Sequence, residues 1–77
     1  MKFTRYFLVT RQRPDRRRIE LEWIERAIDT PAAESIQSDG RVRRWVYVQE
    51  EARYLRAVLL PDGETVHNAF FDRGFER

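Results

Sequence analysis

The chain has 77 residues, of which 42% are apolar and 36% charged, with a net charge of +2; that balance describes one globular domain and excludes both a disordered tail and a second core. So short a chain hides only about 60% of the surface its unfolded form exposes, which makes modest stability the expectation. With no cysteine and one histidine, neither a disulfide framework nor a structural zinc site can be built, and no metal or cofactor is expected.

The first predicted element is a strand from Phe3 to Val9, rich in aromatic and branched side chains. Arg5 and Arg11 break up the apolar stretch after Met1, leaving no h-region of a secretory leader. The longest apolar run, Ala57 to Leu60, is far below the roughly 20 residues that cross a bilayer, so a cytoplasmic location without membrane contact is expected. Pro14 and Asp15 end the strand pattern inside an arginine-dense segment: residues 1–18 hold seven bases against one acid. Fourteen of the fifteen basic residues are Arg; the planar guanidinium fork suits phosphate recognition, and the same bias is what a GC-rich genome produces. Asp15 with Arg16, Arg17 and Arg18 reads either as a phosphate-contacting arm or as a solvated linker.

A helix is predicted from Ile19 to Asp29, because Ile19, Leu21, Trp23, Ile24, Ala27 and Ile28 fill one side at 100° per residue. Glu22, Glu25, Arg26 and Asp29 fill the other. Thr30-Pro31 ends it, since the residue before proline is pushed out of the α region. Beyond it, Asp39-Gly40 and Asp62-Gly63 are hairpin signals between β-type runs, and the polar stretch Gln49 to Arg53 marks a turn between them. Four strands follow: Glu34 to Ser38, Arg41 to Val48, Arg53 to Leu60 and Thr65 to Phe71. The expected fold is α+β: one amphipathic helix packed on a four-stranded antiparallel meander, with an additional N-terminal strand.

Two-residue loops, with an even-length turn at Glu50-Glu51, fix which residues oppose one another. In that register Leu60 faces Thr65, Val58 faces His67, Arg56 faces Ala69, Tyr54 faces Phe71, Trp45 faces Arg56, and Glu34 faces Trp45. One face then carries Val42, Val46, Val48, Leu55, Ala57, Leu59, Val66 and Phe70, interrupted by Arg44 and Asn68, and is assigned to the core. The other carries Glu34, Arg43, Trp45, Tyr47, Tyr54, Arg56, His67 and Phe71, with Ile36 and Val58 among them. Neighbours across strands are about 5 Å apart and diagonals about 7 to 8 Å, so long side chains there reach a common ligand.

Cleavage of RNA through the neighbouring 2′-hydroxyl uses this set of groups: a base, an acid, and fixed positive charge for the phosphorane-like transition state. Glu34 and His67 are the candidate base and acid, Arg43 and Arg56 the phosphate ligands, and Trp45, Tyr47 and Tyr54 the stacking surfaces for unpaired bases. Phe71 and Arg73 complete the binding set, with Phe75 expected to dock against the core and leave Arg73 near the aromatic face. Each residue also has a plainer reading. A strand histidine is often structural, aromatic residues pack across strands, and Arg43 and Arg56 form a charge ladder with Glu34.

The runs Asp39-Gly40-Arg41 through Trp45, Arg53-Tyr54-Leu55-Arg56, Leu59-Leu60 and Asp62-Gly63 through Arg73 resemble a family of short bacterial proteins of unknown function. More remotely, a helix followed by an antiparallel meander is similar in architecture to the RelE/ParE superfamily of small toxins, many of which cut RNA on the sheet face. That resemblance implies a metal-independent endoribonuclease or RNA-binding toxin-like protein restrained by a partner. From composition alone the first reading is an interaction module that binds a protein partner or itself, as a homodimer, through the aromatic and basic face, because Tyr, Trp and Arg are the types enriched at interface hot spots.

Overall fold

The computed structural model describes residues 1–75. Its elements are β1 (Lys2–Phe3), α1 (Arg5–Thr10), α2 (Leu21–Asp29), β2 (Ala33–Ile36), β3 (Val42–Val48), β4 (Arg53–Leu59) and β5 (Thr65–Phe71). They form one five-stranded sheet in the order β1-β5-β4-β3-β2. The β2 to β5 meander is antiparallel, while β1 runs parallel to β5, so the fold is α+β with a mixed sheet and two helices. No helix among the described residues is long and apolar enough to cross a membrane.

The expected first strand is overturned: only Lys2 and Phe3 pair with β5, and the chain then winds into α1. The reason lies in side-chain direction. In a strand, Arg5 would share the inward face with Phe3 and Phe7. In a helix Arg5 turns to solvent while Phe3 and Phe7 stack with centroids 5.3 Å apart, and Thr10 follows onto the buried side. Thr4 starts the helix, its extended backbone and Oγ1 accepting the Phe7 N–H at 3.1 Å, the arrangement of an N-cap.

Helix α2 begins two residues later than the periodicity suggested, with Glu20 as N-cap and Thr30 as C-cap. Trp23, Ile24 and Ala27 are buried against the sheet, with Leu21 and Ile28 at the margin. The facing residues are Val42, Val46, Val48, Leu55, Ala57, Leu59, Val66 and Ala69. Truncating Ile24 or Leu55 to alanine in such a core costs about 2 to 5 kcal/mol.

The β3/β4 register is the expected one, with Trp45 opposite Arg56 and Val46 opposite Leu55, because four residues, an even number, link Val48 to Arg53. The other two pairings depart from expectation by one residue each. Between β2 and β3 the loop is Ser38–Gly40, closed by Gln37 N–H to the Arg41 carbonyl, with Gly40 at φ 90°. This is the three-residue hairpin with a left-handed glycine, and its odd length places Glu34 opposite Arg44 and Ser35 opposite Arg43. Between β4 and β5, Leu60 bonds Thr65 as expected, but a bulge intervenes: Leu59 pairs with Val66 and Val58 with Asn68. His67 is the extra residue. The bulge turns Asn68 and Phe70 away from the core and brings Ala69 and Phe71 in, so the apolar face avoids an amide whose unpaired burial costs about 1 to 3 kcal/mol.

Candidate functional site

The face opposite α2, called here the outer face, carries Arg43, Trp45 and Tyr47 from β3, Tyr54, Arg56 and Val58 from β4, and His67, Asn68 and Phe70 from β5. It holds an open hollow of about 410 Å³ lined by Tyr6, Gln37, Arg41, Arg56, Val58, His67, Asn68 and Phe70. Four parts of the chain supply these groups: α1, the residues flanking the β2/β3 loop, β4 and β5. Bulges re-aim side chains in this way, and here Asn68 and Phe70 are the re-aimed groups, brought beside His67 on the outer face.

His67 is held on two sides. Thr4 Oγ1 lies 3.1 Å from its Nδ1, and the Tyr6 ring stacks on it at 4.8 Å with planes 22° apart. Burial, followed by the positive charge of Arg41, pushes its pKa below 6.5, with Asp39 opposing. At neutral pH the ring is therefore uncharged and able to accept a proton. Arg41 is itself paired at 3.7 Å with Asp39, within the β2/β3 turn.

Arg56 donates from Nε at 2.9 Å and Nη2 at 2.6 Å to Asp72 Oδ2, which also accepts Trp45 Nε1–H at 2.9 Å. Burial works to raise the Asp72 pKa, but the Trp45 and Arg56 donors and the Arg56 charge outweigh it and hold the carboxyl below its usual 3.8. The Arg56 guanidinium also sits 5.0 Å from the Phe70 ring centroid and 5.4 Å from that of Trp45. On the far side of the same hollow wall, Arg16 lies 5.5 Å from Phe70 and donates to Asn68 Oδ1 at 2.8 Å. Among the described residues no group of three or more metal-ligating side chains comes together.

Of the residues singled out from sequence, His67 and Arg56 share the hollow. Glu34 does not: the odd β2/β3 loop turns it to the helix side, where it bridges Arg44, whose Nη1 also reaches the Ile28 carbonyl at the end of α2. Arg43 stays on the outer face but beside Trp45, at 5.8 Å, and its buried Nε has no acceptor among the described residues. Phe71 belongs to the core side, 6.2 Å from Trp23 with the Arg53 guanidinium 3.9 Å above it. Trp45 is 7% exposed, because Phe75 docks on the outer face rather than against the core: its ring stacks on Trp45 at 4.6 Å and meets Tyr54 edge-on at 4.9 Å. Tyr47 remains exposed, its ring edge-on to Tyr54 at 5.2 Å. Arg73 is exposed and lines a neighbouring hollow with Asp15, Arg16, Arg53, Phe70 and Phe71.

Sequence reasoning missed Tyr6, Gln37, Arg41 and Asn68. Tyr6 was hidden by reading α1 as a strand, and Gln37 by reading the turn as two residues. The signal for Asn68 was present: two consecutive polar residues, His67 and Asn68, in an otherwise alternating strand mark a bulge. No family model, curated protein or solved structure matches the chain.

Proposed function

We propose that the chain is a small binding module for single-stranded RNA that seats a phosphodiester in the outer-face hollow. The observation that carries this reading is the convergence of Arg41, Arg56 and His67 on one open hollow that, among the described residues, no carboxylate lines. Guanidinium groups supply charge-assisted hydrogen bonds to phosphate oxygens. The amides of Gln37 and Asn68 add donors and acceptors of the kind a ribose 2′-hydroxyl requires. Binding is favoured over cleavage because transesterification uses two proton-transfer groups, and with Glu34 on the other side of the sheet His67 stands without its intended partner.

Cleavage is kept as a second reading on one observation: the imidazole is neutral near pH 7, faces the hollow and is oriented by Thr4. Titrating labelled protein with a short oligouridylate and following the His67 ring resonances tests both. Binding is expected to move the His67 pKa upward, since an adjacent phosphate favours the imidazolium. Arg41→Ala is expected to weaken binding about tenfold, the loss of one charge-assisted contact. An unmoved His67 resonance at saturating oligonucleotide overturns the RNA reading, and concentration-dependent sedimentation would then favour self-association. Strand scission that His67→Gln abolishes would establish the enzyme.

A further inference from the structure

We propose that the cleft between Trp45 and Tyr54 is a nucleobase site adjoining the phosphate hollow, and that the chain's own Phe75 occupies it. This rests on the RNA reading of the hollow. Asp72 and Phe75 together present what one nucleotide presents: an anion against Arg56 and a flat ring against Trp45. The carboxylate takes two donors of Arg56 and the Trp45 N–H on a single oxygen, at 2.6 to 2.9 Å. Three residues later the Phe75 ring lies 4.6 Å from Trp45 with planes 15° apart, the geometry of an offset aromatic stack. Between them the chain turns tightly, with Gly74 N–H bonded to Asp72 Oδ1 and Phe75 N–H to the Asp72 carbonyl.

Arg56 links the two places, because it lines the hollow and also grips Asp72. A strand whose phosphate replaces the Asp72 carboxylate on Arg56 therefore delivers its adjacent base to the Trp45 ring. Phe75 can leave without opening the core, since the hydrophobic cluster around Trp23, Ile24 and Leu55 lies on the other side of the sheet. Arg73 and Gly74, which connect the two anchors, are exposed. Stacking on aromatic side chains accepts any base, so the site selects single strands and not a sequence.

The test compares wild type, Phe75→Ala and Phe75→Leu for binding a uridine pentamer and an abasic pentamer of the same backbone, read by tryptophan emission and calorimetry. With its competitor removed, Phe75→Ala is expected to bind the uridine strand at least about fivefold more tightly, the low end of one base stack. The abasic strand is expected to bind wild type and variant alike. Phe75→Leu, which keeps apolar cover without a flat ring, is expected to fall between and serves if the alanine variant does not fold. An unchanged or weaker affinity for the uridine strand in the folded variants overturns the proposal, as does an equal gain for the abasic strand. Failure of the hollow reading gives a different signal: the abasic strand binds none of the proteins, or binds Arg41→Ala as well as wild type.

Discussion

Ala52 holds φ at 53°, a left-handed conformation in a non-glycine residue, where the Cβ crowds the carbonyl at a cost of about 1 to 2 kcal/mol. It closes the β3/β4 turn, bonded through its N–H to the Gln49 carbonyl, and the four-residue length of that turn is what keeps Trp45 opposite Arg56. Ala52→Gly removes the strain and adds some unfolded-state entropy. The expected outcome is a net gain of about 0.5 to 1 kcal/mol in urea unfolding; a loss would show that the turn is not under strain. Gly40 and Gly63 already supply positive φ at the other two turns, and both were legible as Asp-Gly pairs. Ala52 was not, because nothing in its side chain announces a left-handed backbone. Asp62 was legible as a turn residue, and its role goes further. It accepts from Glu64 N–H, Thr65 N–H and the Thr65 hydroxyl, and these bonds, the hydroxyl first, bring its pKa down to about 2.

Among the elements, α2 and the four meander strands were readable from periodicity, because each buries one face against the other and the pattern of apolar residues records it. What failed to show was the parity of two connections. An odd loop and a bulge each reverse which face a residue takes, and these reversals moved Glu34, Ile36, Phe70 and Phe71. Element α1 was misread because local propensity favoured a strand while packing of Phe3, Phe7 and Thr10 favoured a helix. Thr4 is the residue on which both the helix and the site depend, since its Oγ1 accepts from Phe7 N–H and contacts His67 Nδ1. Thr4→Ala is expected to lower stability by about 1 kcal/mol, the usual cost of a lost N-cap. It should also broaden the His67 ring resonances by freeing the imidazole. Thr4→Ser, which keeps the hydroxyl, should restore both; if it does not, the cap is not the cause.

Across the whole molecule, charge and burial set a pH response that no single element shows. Acidic groups dominate residues 19–40 and basic groups residues 1–18, and the sheet separates the helix side, where α2 packs, from the outer face, where the hollow lies. Two groups that tie the outer face together titrate in sequence on acidification. Folding depresses the His67 pKa below 6.5, so as pH falls through 6.5 the unfolded chain takes up a proton that the native chain resists. Stability therefore declines from that point until the folded pKa is passed. Folding also depresses the Asp72 pKa below 3.8; the stability it adds is present above 3.8 and is lost as pH falls through the folded value, releasing Trp45 and Arg56. Urea midpoints measured from about pH 7.5 to about pH 3 should thus fall in two stages. His67→Gln removes the first stage because it no longer titrates, and Asp72→Asn flattens the contribution of its group to the second. A wild-type midpoint that holds steady between about pH 7 and pH 5, or a first stage that persists in His67→Gln, would mean the imidazole is not held neutral by its surroundings. In that event the imidazole would be a solvated side chain, and the hollow would lose the one group whose charge a bound phosphate could switch.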